Sequence, residues 1–280
     1  MPLVSPRDIL LPAFRAGRLV GAFNTGNLEM TRGILWAAEE LRSPILLQVA
    51  EKRLPTSPLA LLGPLMVAAA RSASVPVAVQ LDHGESPAVI AEALAYGFTG
   101  VMFDGSALPL EENIVRTAAI RPKGNSVWLE GEIGVLSGSE GGPEAEALHS
   151  DPAQAEAFAK SSGCDALAVS IGNAHGHYRG KPKLNFGILE EIRRRLPETP
   201  LVLHGGSGIP KEDLARAARL GICKVNIATA SFDALYQSAT TQAGRGGDYF
   251  SLSAAMAEAV YESTKRQILW FAEGSGPGAP

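Results

Sequence analysis

The sequence predicts a closed α/β barrel, the TIM (β/α)8 fold, on three observations. Eight short β-type runs alternate with longer amphipathic stretches along 280 residues, the pattern of repeated βα units on a parallel sheet. The length suits one such barrel, which takes ~250 residues. Polar side chains also gather at the C-terminal ends of the runs and nearly nowhere else in them. An open doubly wound sheet shares the first observation, because periodicity does not reveal closure.

The strand candidates in chain order are LVGAFN (19–24), PILLQV (44–49), VPVAVQL (75–81), GVMF (100–103), SVWLEG (126–131), ALAVSI (166–171), LVLH (201–204) and ICKVNI (222–227). Amphipathic stretches lie between them, including 31–41, 87–96, 152–161, 185–196 and 211–220. Ser86-Pro87, Asp151-Pro152 and Pro210-Lys211-Glu212-Asp213 place Pro or acids where a first helical turn needs them. Two regions break the unit length. Residues 134–151 (GVLSGSEGGPEAEALHSD) form a long Gly/Ser/Glu stretch that reads as a mobile active-site loop. Residues 242–247 (QAGRGG) read as a flexible link before a C-terminal helix from Ser251 to about Phe271. One domain is expected over 1–273, with a disordered tail at 274–280.

Composition narrows the function classes. Hydrophobic residues make up 46% of the chain, enough for a sizeable core, and 25 Lys+Arg against 29 Asp+Glu leave no basic field to gather nucleic acid or an anionic membrane. Two cysteines, Cys164 and Cys223, are too few for a disulfide framework and read as buried thiols in a reducing cytosol. No window approaches the ~18 apolar residues of a membrane span, and the first residues lack a basic region ahead of an apolar one. A cytoplasmic protein without nucleic-acid or membrane partners is expected.

The chemistry collects on one rim. In a parallel barrel the strand C-termini form the active face. Asp82 and His83 follow the third strand, Asp104 the fourth, Glu130 and Glu132 the fifth, Asn173 to His177 the sixth, His204 to Ser207 the seventh, and Asn226 to Thr229 the eighth. Three of the five histidines, His83, His175 and His204, follow core strands there. Three imidazoles with one open position suit catalytic zinc; singly, each is as well explained as a strand-ending residue bonded to backbone. His177 reads as a loop residue and His149 as a solvated one.

Gly205-Gly206-Ser207-Gly208 and Asn226 to Thr229 lead from strands into helices at the seven–eight corner, the usual phosphate site of such barrels. A metal beside a phosphate pocket suits chemistry on a phosphorylated carbonyl compound, with the metal polarising the carbonyl. A carboxylate then moves the proton. Strand alternation points Asp82 away from the direction of His83, so Asp82 faces substrate as general acid/base, or else orients a ligand imidazole.

The motifs LDHG (81–84), FDGS (103–106), LEGEIG (129–134), GNAHGHY (172–178), LVLHGGSG (201–208) and KVNIAT (224–229) resemble, in order and spacing over residues 1–235, the zinc-dependent class II ketose-bisphosphate aldolases. The resemblance implies a TIM barrel that cleaves a fructose- or tagatose-type 1,6-bisphosphate to dihydroxyacetone phosphate and an aldehyde such as glyceraldehyde 3-phosphate. It implies His83, His175 and His204 as zinc ligands, with Asp104 and Glu132 matching acids that hold a second metal or an alternative zinc position in some members. Asp82 would exchange the hydroxyl proton. Gly176, Gly205, Gly206, Ser207, Asn226 and Thr229 would hold the dihydroxyacetone phosphate half, with Asn226 near the enediolate. Family members often bind a monovalent cation near the phosphate. Glu140 matches the loop acid that exchanges the carbon proton, although Glu140, Glu144 and Glu146 equally suit a soluble loop. A homodimer or homotetramer is implied as well.

Two departures leave the substrate open. The Asp-Pro-Arg type stretch that supplies a distal-phosphate Arg is replaced by residues 243–249 (AGRGGDY), where Arg245 is the nearest substitute. Lys52 and Arg53 stand where many members carry small polar residues, and suit either a distal anionic group or plain surface charge. A different ketose 1-phosphate is therefore a competing substrate. A metal-dependent hydrolase using the His175-x-His177 pair and a non-catalytic structural subunit are the competing functions. Lys224 is the nearby lysine that a covalent mechanism would use.

Overall fold

The computed structural model describes residues 2–121, 127–136, 148–178 and 180–273. Eight parallel strands close into a barrel in sequence order, β1 pairing with both β2 and β8. They are β1 (Val20–Asn24), β2 (Ile45–Ala50), β3 (Val77–Gly84), β4 (Gly100–Phe103), β5 (Trp128–Ile133), β6 (Ala166–Val169), β7 (Leu201–Leu203) and β8 (Ile222–Ile227). The helices are α1 (Pro6–Arg15), α2 (Leu28–Glu40), α3 (Leu59–Ser72), α4 (Pro87–Ala95), α5 (Leu110–Ile120), α6 (Pro152–Ser162), α7 (Phe186–Arg195), α8 (Lys211–Arg219), α9 (Thr229–Arg245) and α10 (Tyr249–Glu273). Among the described residues no helix is long and apolar enough to cross a membrane.

Each strand is buried on both faces, so its residues sort by parity rather than by hydrophobicity. On β3, Val77, Val79 and Leu81 join the cluster beneath the helices, whereas Ala78 points into the barrel. The lower barrel is apolar: Ala22, Leu46, Ala78, Trp128, Ala168 and Val202 pack there, and Ile9 and Leu10 of α1 cap that end. The layer above is polar, with Asn24, Gln48, Gln80, Asp82, Glu130 and Lys224 all buried. The fold thus builds a dry floor under a set of hydrogen-bonding groups.

The expected helix starts stand as read: Pro87 opens α4, and Glu212 and Asp213 lie in the first turn of α8. Asp151 accepts hydrogen bonds from Ala153 N and Gln154 N, and Pro152 opens α6. α10 lies along α2 so closely that a Cβ on Gly33 would sit 2.4 Å from Ala257 O, and Trp36 stacks on Tyr261 at 4.4 Å. The stretch 242–247 corrects the sequence reading: Gln242 to Arg245 belong to α9, with Gly244 inside its last turn, and the break falls at Gly246 and Gly247, both at positive φ. β5 reaches Ile133 rather than ending at Gly131, which sets Glu130 two layers deep and only Glu132 near the rim. The base of the long loop is an antiparallel bridge between Val135 and Leu148; residues 137–147, Glu140 included, lie outside the described residues.

Candidate active site

A buried network forms the floor. Glu130 accepts hydrogen bonds from Gln80 Nε2 at 2.9 Å and from His204 Nε2 at 2.9 Å, and its Oε2 lies 2.8 Å from Lys224 Nζ. Burial alone would push Glu130 upward, but Lys224 and His204 hold its carboxyl well below the usual carboxylate range.

The three rim histidines converge. Ring centroids lie 4.8 Å apart for His83–His175, 4.6 Å for His83–His204 and 6.1 Å for His175–His204. One ring nitrogen of His83 (Nδ1) meets Asp104 Oδ2 at 2.7 Å, and one of His204 (Nε2) meets Glu130 Oε1 at 2.9 Å. The opposite nitrogens, His83 Nε2 and His204 Nδ1, are buried without a hydrogen-bond partner. A carboxylate behind each ring with a bare nitrogen in front is the donor arrangement of metal-bound histidines. Burial and the neighbouring histidines push His175 well below the usual imidazole value, and burial lowers His204, which favours the neutral rings a metal requires.

Electrostatics point the same way. Burial opposes charge on His83, yet Asp82, Asp104 and Glu132 around it raise its pKa well above the ordinary value. Glu132 is pushed well upward by burial and by Asp104. Such concentrated negative charge suits a divalent cation. His83, His175 and His204 form one group able to hold a metal ion, and His83, Asp104 and Glu132 form a second. The two share His83, whose Nδ1 faces the acids (Glu132 Oε2 is 3.5 Å away).

Asp82 corrects the expected geometry. Parity sends Asp82 inward with Ala78 and Gln80, and would send His83 outward. Instead the β3–β4 register shifts between Leu81 and Gly84, and His83 adopts the left-handed region at φ 44°. Both side chains therefore line the same mouth. Asp82 accepts from Asn24 Nδ2 at 3.1 Å and Asn226 Nδ2 at 3.0 Å, and Gln48 Nε2 in turn donates to Asn24 Oδ1 at 2.5 Å. Asn24 and Gln48 escaped the sequence reading; a polar side chain near the end of an apolar strand was the one signal that marked them.

The glycine corner stands beside them. Gly176, Gly205, Ser207, Asn226 and Thr229 line the mouth with Asp82, His83 and His175. Gly206 N donates to Asn226 O at 2.9 Å, so it packs the two loops together while its neighbours face the pocket. Tyr178, also missed from sequence, braces the corner: its hydroxyl accepts from Ala174 N and donates to Gly205 O, each at 3.0 Å. Ala228 gives α9 no side-chain cap of its own; instead Ser207 Oγ accepts from Ala230 N at 3.2 Å, tying the glycine turn to the start of α9.

Other candidates stand apart. His177 is exposed and pairs with Asp233 at 2.7 Å, outside both metal-capable groups. Arg245 is exposed at the end of α9. Lys52 pairs with Glu85 at 3.3 Å, whereas the Nε of Arg53 is buried without a hydrogen-bond partner, its guanidinium 5.2 Å from the Phe232 ring. A groove of about 530 Å³ at the opposite end, between α1 and α10, contains none of the rim groups.

A closed (β/α)8 barrel with a histidine-rich, metal-capable mouth beside a glycine-lined anion corner defines a class of metal-assisted enzymes acting on phosphorylated carbonyl compounds. The chain belongs to the class II fructose-bisphosphate aldolase family, whose profile matches residues 4–275. It is 41% identical over 234 residues to the sulfofructosephosphate aldolase of Alkalicoccus urumqiensis, covering 82% of this chain and 81% of that protein. It is 40% identical over 241 residues to a probable fructose-bisphosphate aldolase of Bacillus subtilis, covering 82% of each. The crystal structure of the YdjI aldolase from Escherichia coli K12 superposes with a TM-score of 0.86 at 31% identity, covering 99% of this chain and 100% of that one.

Proposed function

We propose that the protein is a zinc-dependent aldolase that reversibly cleaves a ketose 1,6-bisphosphate of the fructose or tagatose type into dihydroxyacetone phosphate and an aldehyde such as glyceraldehyde 3-phosphate. The observation that carries this reading is the shared mouth of Asp82 and the three converging histidines. A zinc ion held by His83, His175 and His204 supplies a Lewis acid for the ketone oxygen. The grouping of His83, Asp104 and Glu132 supports an alternative or second metal position, and the family resemblance supports a monovalent cation near the phosphate.

The chain's own residues do the rest. Gly176, Gly205, Ser207 and Thr229 anchor the 1-phosphate at the corner, and Gly206, its N–H spent on Asn226 O, holds the two loops together behind them. Asp82, held by two Asn side chains, accepts the C4 hydroxyl proton, and the C3–C4 bond breaks. The Asn226 amide stands beside the developing enediolate. Glu140, which lies outside the described residues, is the acid proposed to return a proton to C3.

The far end of the substrate carries the second reading. The relatives' names differ there, fructose bisphosphate against a sulfonated fructose phosphate. The unpartnered Nε of Arg53 favours an anionic distal group over a plain ketose 1-phosphate, with phosphate and sulfonate competing for it. Lys52 and Arg245 are the supporting cations.

Neither competing mechanism gains support: His177 is tied to Asp233 away from the cluster, and Lys224 lies fully buried beneath the mouth against Glu130. Exposed Tyr236, Tyr249 and Phe250 on α9 and α10 support a homodimer or homotetramer. The free thiols of Cys164 and Cys223 support a reducing cytoplasm.

The test is a coupled assay for dihydroxyacetone phosphate release from fructose and tagatose 1,6-bisphosphates, their 1-phosphates and a sulfonated ketose phosphate. It is run before and after chelation, with zinc added back. Release that stops with chelator and returns with zinc supports the reading; release indifferent to chelation removes it.

A further inference from the structure

Lys224 and Glu130 are a puzzle in a barrel interior. Both side chains are fully buried, and a buried ion pair is costly unless its remaining lone pairs and protons are satisfied. β8 goes out of its way to place the lysine: the β7–β8 register runs Leu201↔Ile222 and then Val202↔Lys224, skipping Cys223. That irregularity turns Lys224 inward, and two residues later it turns Asn226 inward as well. Lys224 lines no part of the mouth; its ammonium meets both Glu130 oxygens, at 3.1 and 2.8 Å.

What the pair does is visible on the other side of Glu130. Its Oε1 lies 2.9 Å from His204 Nε2, and Gln80 Nε2 donates to its Oε2. An ionised carboxylate only accepts hydrogen bonds, so the proton of neutral His204 sits on Nε2. The Nδ1 lone pair is then bare, and Nδ1 is the buried, unpartnered nitrogen of this ring. Were the neighbour neutral, as an amide is, it could turn an N–H toward Nε2 and move the ring proton to Nδ1.

We propose that Glu130 is a positioning residue that fixes the Nε2–H tautomer of His204 and aims its Nδ1 at the metal, and that Lys224 is the counter-ion keeping Glu130 in that role. This rests on the reading of His204 as a metal ligand.

The test uses full-length protein, Zn²⁺ alone as the probe, and a chromophoric chelator in competition. The double variant Glu130→Gln/Lys224→Met removes both charges together, so no unpaired charge is left buried. It is expected to unfold within about 5 °C of the wild type, yet to bind Zn²⁺ about 10- to 100-fold more weakly. A long-range ¹H–¹⁵N spectrum of the metal-free wild type is expected to show His204 protonated at Nε2. A double variant that is folded and binds Zn²⁺ within about twofold of wild type overturns the proposal, as its affinity loss should be at least about tenfold. So does a wild-type His204 protonated at Nδ1, a result that does not depend on any variant folding. His204→Ala separates the two layers: unchanged Zn²⁺ affinity there removes the metal reading itself, and the proposal with it.

Discussion

Asn226 Nδ2 donates a hydrogen bond to Asp82 Oδ1 at 3.0 Å, joining the end of β8 to the end of β3 across the barrel mouth. Asn24 holds the other carboxylate oxygen at 3.1 Å. A carboxylate fixed by two amides has one orientation, and it lies beside the histidine cluster without joining either metal-capable group. Replacing Asp82 by Asn keeps the shape and removes the proposed base. The expected result is a fall in kcat of about 10²- to 10⁴-fold with zinc content unchanged. Steady-state kinetics and metal analysis on one preparation check both halves. Loss of zinc together with activity would assign Asp82 to the metal instead.

Metal removal has a second readout in stability. The acids around His83 repel one another when a cation is taken away, so binding to the folded site should raise the unfolding temperature. At zinc about 100-fold above its Kd the folded state gains about 2.7 kcal/mol. Thermal unfolding across a zinc titration measures this directly, with His83→Ala expected to flatten the response. A melting temperature indifferent to zinc in the wild type counts against the histidine site.

Much of this site was legible before any coordinates, for a physical reason. Barrel strands buried on both faces read as continuous apolar runs, so the polar residues ending them stand out, as Asp82, His83, Asp104 and His204 do. The elements that hold the site were harder to see. Asn24, Gln48 and Gln80 look like ordinary strand residues, since period-2 parity carries little information where both faces are buried. The inward turns of His83 and Lys224 depend on register irregularities in β3 and β8, which no alternation rule yields. Tyr178 acts through a contact with Gly205 that only the closed barrel brings about.

The thiols give a pH prediction with a definite sign. Burial pushes Cys223 up to about 12 and Cys164 up to about 11, against about 8.5 for a free thiol. Native protein at pH 8 should therefore react slowly with a disulfide reagent at fully buried Cys223 and faster at half-buried Cys164, and stoichiometrically at both once unfolded. Because the folded values are raised, the unfolded chain gives up these protons first. Their contribution to stability is complete below about pH 8.5 and is lost as pH climbs through 11 and 12. Fast labelling of Cys223 in native protein at pH 8 would contradict its burial.

Two glycines of the corner proposed to hold the phosphate separate packing from binding. Gly205 has φ 64°, and a Cβ there would lie 2.0 Å from Ala174 O, a backbone atom held in place by the Tyr178 brace. Gly176 has φ 77°, with nothing within 4 Å of an added Cβ. Both substitutions by Ala carry left-handed strain of about 1–3 kcal/mol. Only Gly205→Ala adds a backbone clash, so it should be the more destabilising of the two and should deform the corner as a whole. Gly176→Ala should remain folded and act mainly through KM for the 1-phosphate substrate, since its methyl group enters the pocket that Gly176 lines. Chemical denaturation of both variants with parallel kinetics decides the matter. Equal stability losses would mean that the loop at Ala174 yields, and that the corner is held less tightly than its hydrogen bonds indicate.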